Sequence, residues 1–320
     1  MTGWGGWPVV GEDASFDRAQ ALLREAELGD GLPLVPPTER RLRVMQAGIA
    51  DPTASRGALP PLFGELAPDA VAYQCVIAGA PTGALPVVMA AAEAMLDPSF
   101  NLLGIATTTG TAAVALCIHG PIAAHLGVSA GTNCLGPNEG ANAGIGRALQ
   151  LVLRNIGGAR PGVGDMATMG QPAKFSLCFA EQSDSPFPPL PVRRNLPRDS
   201  VTVLGISGTQ ELLPADGEGD TPEAILTPVA RAMSLALDSG GGRRRNEAGE
   251  QVLLLPPELA HKVAARGWDL AAVQRYLFEA VGRIARAPEA IHPIVTGGAG
   301  IKMTYLPLWG GGTATVTRGV

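Results

Sequence analysis

The chain opens by alternating amphipathic and extended stretches. "DASFDRAQALLREAEL" repeats apolar residues at helical spacing behind Asp13 or Ser15, either of which can cap a helix. "GDGLPLVPPT" cannot continue that helix, because a residue before proline avoids the helical region. A second short helix is predicted over "TERRLRVMQAG", and the Pro-rich "GALPPLFGEL" leads out of it. Residues 1–68 read as an N-terminal helical and extended arm, and residues 69–320 as the body.

From Val71 to Asn138 the only charged side chains are Glu93 and Asp97. Pro81, Gly83, Pro86, Gly104, Gly110, Gly120 and Pro121 interrupt every run of the roughly 20 residues that a membrane span needs, so no membrane association is expected. The stretch reads instead as buried strands and helices, extended by a subunit interface in a homo-oligomer. "VAYQCVIAGAPTGALPVVMAAAEAML" and "AAVALCIHGPIAAHLG" each predict a strand, a Gly turn and a helix, and "SVTVLGISGTQELL" and "IHPIVTGGAGIKM" resemble later strand ends. Repeated strand–Gly turn–helix units predict an α/β fold with a mostly parallel or mixed sheet. In such sheets sites gather at the C-terminal strand ends, which would place Gly79, Gly120, Gly208 and Gly298 on one rim.

Farther on, "ANAGIGRALQLVLRNIGGARPG" predicts a helix capped by Asn142 and stopped at Gly157-Gly158. "TMGQPAKFSLCFAEQ" predicts a strand with Lys174, Ser176 and Cys178 on one face. "EQSDSPFPPLPVRRNLPRDS" reads as an extended loop and "DSGGGRRRNEAGE" as an exposed turn. "PPELAHKVAARGWDLAAVQRYLFEAVGRI" predicts two helices parted at Gly267, with Asp269 capping the second. No strong tandem repeat is visible.

Composition narrows the function classes. Charged residues are 17% of the chain and the formal net charge is −5, which argues against nucleic-acid binding through a basic field. Cys75, Cys117, Cys134 and Cys178 form no close pair, so reduced thiols and a cytoplasmic setting are expected, as is the absence of a secretory leader. Only Lys174, Lys262 and Lys302 are lysines among 24 cationic residues, which makes each one informative, since an ammonium can shift its pKa where a guanidinium stays charged.

"VSAGTNCLGPNEGANAGIGRALQ" sets Cys134 among flexible residues before a helix. Backbone donors there would lower a thiol pKa and make Cys134 a nucleophile, with Asn133, Asn138, Gly136 and Gly140 contacting a substrate oxygen. The plainer alternative is a small residue filling a hole. His119 and Glu181 are candidate proton carriers, Lys174 and Lys302 candidate holders of a negative group, and Thr108 and Thr109 candidate pocket hydroxyls. Each has a structural alternative: a satisfied core histidine, solvent-facing lysines, and threonines that serve only the backbone. Cys117, His119 and His125 form a weaker candidate metal set. The full phosphate-loop and dinucleotide fingerprints are absent, so no cofactor is predicted.

"GDGLPLVPPTE", "LPVVMAAAEAMLDPSFNLLGIATTT", "HGPIAAHLG", "CLGPNEGANAGIGRALQLVLRNIGGARPG", "GQPAKFSLCFAE" and "GWDLAAVQRYLFE" occur in that order. From about Gly29 onward the chain resembles the large C-terminal domain of the bacterial UGSC-type (seleno)protein family. The resemblance implies a small redox domain or partner protein carrying a selenocysteine- or cysteine-Gly-Ser-Cys motif, which this chain lacks, and it brings no established reaction. "PPELAHK" also departs from the family's Pro-Glu-His-Ala, since Leu259 stands in the histidine position.

These readings lead to an enzyme acting on a small anionic metabolite through Cys134, with lyase-type C–S or C–N cleavage or thiol-coupled chemistry. The alternatives are a non-catalytic ligand-binding or docking subunit of a two-component redox system, and a metal-dependent hydrolase.

Overall fold

The computed structural model describes residues 4–239, 249–280 and 284–320; most of the turn expected over "DSGGGRRRNEAGE" lies outside them. Helix α1 (Phe16–Glu25) is capped by Ser15, whose hydroxyl accepts from Arg18 N, and α2 (Glu39–Met45) is capped in the same way by Thr38. The extended segment between them lies on the body. Gln20 bonds both backbone groups of Leu34, and Val35 N donates to Ile77 O. A short pair of strands, β1 (Ala58–Leu59) and β2 (Gly64–Glu65), follows.

The run "VAYQCVIAGA", expected as a strand, lies in helix α3 (Pro68–Ala78) and its C-terminal turn. A continuous apolar run suits a buried strand or an all-round-buried helix equally well. Here Pro68 begins a helix, Gly79 ends it in the left-handed conformation, and every residue of α3 is buried. Helices α4 (Leu85–Met95) and α5 (Leu102–Thr107) complete this layer.

The rest of the body is an α/β arrangement of two mixed sheets. Its elements are β3 (Ala113–His119), α6 (Pro121–His125), α7 (Asn142–Leu151), β4 (Cys178–Ala180), α8 (Leu190–Arg193), β5 (Ser200–Ile206) and β6 (Gln210–Leu212). After them come α9 (Pro222–Ser239), β7 (Gln251–Leu255), α10 (Pro257–Ala265), α11 (Leu270–Ala280), β8 (Ile291–Val295), β9 (Met303–Leu306) and β10 (Val316–Gly319). Gly267 parts α10 from α11, and Asp269 Oδ1 accepts from Ala272 N, as the sequence suggests.

The sheets run β10-β5-β3-β4 and β6-β9-β7-β8. Each contains one parallel pair, β3/β4 or β7/β8, followed by two antiparallel neighbours. The outermost strand is exchanged: β6 follows β5 in the chain but pairs with β9, and β10 follows β9 but pairs with β5. Two further bonds, Ser207 N to Pro307 O and Trp309 N to Gly205 O, join the sheets. The topology thus repeats although no tandem repeat is visible in the sequence, because strand order depends on burial pattern rather than residue identity.

Side-chain alternation gives each sheet two apolar faces. Ala113, Ala115, Cys117 and Leu204 from one sheet and Val252, Leu254 and Ile294 from the other form one inter-sheet core. The outer face of the first sheet packs on α3, α4 and α7, and that of the second on α9, α10 and α11. The order is helices, sheet, sheet, helices. Because β5 is antiparallel to β3, Gly120 and Gly208 lie at opposite ends of the sheet, and Gly79 follows a helix, so the single rim expected of a parallel sheet is not formed. Among the described residues no helix is long and apolar enough to cross a membrane.

Candidate functional site

The Cys134 loop is held by its own polar residues. Asn133 has φ 57° and donates to Pro137 O; Asn138 donates to Gly136 O at 3.1 Å and accepts from Gly140 N at 2.8 Å. A Cβ on Gly136 would sit 2.4 Å from Asn133 Oδ1, and one on Gly140 would sit 2.7 Å from Gly127 O. Asn133, Asn138, Gly136 and Gly140 thus form a self-bonded turn, and the two amides spend hydrogen bonds on it. Asn142, expected as a helix cap, is the first residue of α7, and its buried amide instead accepts from Ser129 N and donates to the carbonyls of Ser129, Cys134 and Cys178.

This clamp holds Cys134 between the sheets, 6% exposed, with Sγ 3.5 Å from Thr296 Oγ1. Burial raises the thiol pKa, and the Thr296 hydroxyl and nearby backbone N–H groups offset it only in part, so the expected lowering is not found. Cys134 is expected to alkylate at least tenfold more slowly than a free thiol at pH 7.5, a rate readable by mass spectrometry with iodoacetamide. A rate matching a small-molecule thiol would contradict this burial.

Lys174 lies elsewhere. It ends a 3₁₀ turn, Pro172–Lys174, rather than sitting within a strand, because Pro172 and the Gln171 side-chain bonds to Thr111 O and Ile206 O turn the chain before β4 begins. Its Nζ is 2.5 Å from Asp165 Oδ2, and both residues line a cavity of about 190 Å³. Leu102 and Ile105 of α5, Ala113 of β3, Leu153 and Phe175 supply apolar wall, and Gln150, Arg154, Asp30 and Asp165 the other polar groups.

Helix α7 positions this polar side. Arg147, Gln150 and Arg154 recur at i, i+3 and i+7, so they project from one helix face. Arg147 grips Asp30 with two 2.8 Å bonds and also donates to Leu32 O and Pro33 O, docking the arm. Gln150 donates to Val114 O at 2.8 Å. Beyond α7 the helix widens into a π turn, Val152–Ile156, which carries Arg154. Such turns often mark functional sites. Arg154 has no hydrogen bond or ion pair among the described residues, and its buried Nε is unsatisfied. Burial and Arg160 lower its pKa, Asp30 and Glu27 oppose them in part, and the guanidinium stays charged at neutral pH.

His119 and Glu181 do meet. His119 Nδ1 lies 2.6 Å from Glu181 Oε2, Nε2 lies 2.7 Å from Thr202 Oγ1, and Cys117 Sγ is 3.9 Å from Nδ1. Thr202 continues through Thr317 to Arg194, which bonds Thr315 and approaches Glu250 and His292. This polar seam fills the inter-sheet layer beyond the apolar core. The four candidate catalytic residues therefore occupy three places: Cys134 in its loop, Lys174 in the cavity, and His119 with Glu181 in the seam.

The remaining candidates are dispersed. Lys302 Nζ forms an exposed 2.9 Å pair with Glu211 at a sheet edge. Thr108 and Thr109 line a separate hollow of about 460 Å³; Thr108 Oγ1 accepts from Gly110 N. His125 is exposed on α6 whereas Cys117 and His119 are buried, and among the described residues no three His, Cys, Asp or Glu side chains group to hold a metal. Sequence reading passed over Arg154, Asp165, Asp30 and Gln150. The polar stripe Arg147–Gln150–Arg154 inside an apolar helix was the available signal. Neither a scan against protein-family models nor a search of curated proteins finds a match to this chain.

Proposed function

We propose that this chain is an enzyme acting on a small organic acid in the cavity beneath α5 and the π turn. One observation carries the reading: among the described residues Arg154 makes no hydrogen bond or ion pair, and its Nε is buried and unsatisfied in a cavity with predominantly apolar walls. Asp30 and Glu27 act on it only at longer range, and a carboxylate accepting from its fork would supply the missing hydrogen bonds. At about 190 Å³ the space suits a compact metabolite, below the usual ~300–1,000 Å³ of drug-sized pockets.

The adjacent Lys174–Asp165 pair provides the chemistry. Asp165 accepts a proton from the atom next to the bound carboxylate, and the Lys174 ammonium stabilises the negative charge that develops. Proton removal at that position begins lyase-type eliminations that expel a sulfur or nitrogen group. This reading keeps the small anionic substrate and Lys174 but moves the centre of the chemistry away from Cys134.

The test uses straight-chain carboxylates from acetate to hexanoate, with the matching methyl esters as controls, in thermal-shift and calorimetric titrations of the full chain. At least one carboxylate is expected to bind, its methyl ester at least tenfold more weakly, and Arg154→Gln to weaken it at least tenfold with little change in unfolding temperature. Asp165→Asn is expected to retain binding. The reading fails if no carboxylate binds, or if Arg154→Gln binds as the unaltered chain does.

A further inference from the structure

A further cleft lies at the other end of β3 from this cavity, just past the C-terminal ends of β3 and β4. It holds about 210 Å³ between Gly120, Pro121 and Ala124 on one side and Gln182, Ser183 and Pro189 on the other. Glu181 also lines it, with its side chain only 2% exposed. The two carboxylate oxygens differ. Oε2 is saturated, meeting His119 Nδ1 at 2.6 Å and accepting from Leu190 N at 3.1 Å. Oε1 is buried and accepts no hydrogen bond in the structure. Buried polar atoms without partners are uncommon and costly, so a built carboxylate with one open oxygen at a cleft marks a place for a donor.

The surrounding charge selects the kind of donor. Arg193 Nη2 stands 3.6 Å from Oε1, already balancing the carboxylate, and Arg198 lines the cleft as well. An ammonium group entering here would meet two guanidinium groups and one carboxylate. A neutral O–H or N–H would fill the open acceptor position without that repulsion.

We propose that this cleft is a binding site for a small neutral hydrogen-bond donor with a short apolar body, an alcohol or a primary carboxamide, whose O–H or N–H donates to Glu181 Oε1. The site is independent of the Arg154 cavity. Its ligand carries no charge where the other carries one, so the chain has room for a neutral second substrate, product or effector.

Binding of 1-butanol, butyramide, butylammonium and butyrate to the full chain, followed by ligand-observed NMR with calorimetric affinities, tests this. Butanol or butyramide is expected to bind at least tenfold more tightly than butylammonium. Ala124→Phe, which fills the cleft from its exposed rim and leaves the buried carboxylate untouched, is expected to abolish that binding with an unchanged circular dichroism spectrum. Arg154→Gln is expected to leave it intact, which separates this site's failure from that of the carboxylate reading. No binding by either neutral compound, tighter binding of butylammonium, or undiminished binding by Ala124→Phe would each overturn the assignment.

Discussion

Glu250→Ala is expected to cost about 3–5 kcal/mol of stability at pH 7, read from urea unfolding, because it strands charges in the seam. The Glu250 side chain is 3% exposed. Its Oε2 accepts from Thr315 N at 2.9 Å and Thr315 Oγ1 at 2.7 Å and lies 3.1 Å from His292 Nε2, while Oε1 meets Arg286. Burial alone would raise this carboxyl's pKa. The bonds and charge from His292 and the Thr315 donors outweigh burial and hold it at about 2, against 4.5 for a free glutamate. With a depressed folded-state pKa, the stabilisation is complete above the unfolded value and disappears as pH falls through the folded one. A shift of that size corresponds to about 3 kcal/mol. Glu250→Gln keeps the shape and removes the carboxyl titration, so the gap between it and the unaltered chain should shrink between pH 4.5 and pH 2. A gap that stays constant across that window would show that Glu250 is not the titrating group.

Asn142→Ala comes next in size, at about 3 kcal/mol. The amide accepts from Ser129 N at 2.8 Å and donates to Ser129 O, Cys134 O and Cys178 O at 2.9, 3.2 and 3.1 Å. Alanine leaves a backbone donor and carbonyls in a site that is 3% exposed at Asn142 itself, too enclosed for ready solvation. The same bonds tie the Cys134 loop to β4, so the variant has a second, local readout. Cys134 alkylation is expected to accelerate at least tenfold under conditions where the fold persists. Unchanged alkylation in a folded Asn142→Ala protein would mean that other contacts hold the loop. Asn142→Asp, which can accept from Ser129 N but cannot donate to the carbonyls, should not restore stability.

Local rules were legible wherever a short segment settles its own conformation. Ser15 caps α1 and Asp269 caps α11 because a side-chain oxygen needs only the amide three residues on. The rules failed for "VAYQCVIAGA", where burial on every side removed the periodicity that tells helix from strand. They also failed for Asn142, whose position before a helix suggested a cap although its amide is spent on the Cys134 loop and β4. For the candidate site, Lys174 stood out as one of three lysines, whereas Arg154 was one arginine among many and drew no notice.

By itself the sequence determined the α/β character and the largely apolar middle of the chain, since these follow from composition and short-range periodicity. Only the tertiary structure decided which groups meet. His119 and Glu181 are 62 residues apart, Arg147 and Asp30 are 117, and Cys134 and Thr296 are 162. Such pairs depend on how the sheets, helices and loops pack together and on which face each strand buries. The open hydrogen-bonding capacity of Arg154 among the described residues is likewise a property of the packed chain, because Asp30, which lines the same cavity, is bound by Arg147 instead.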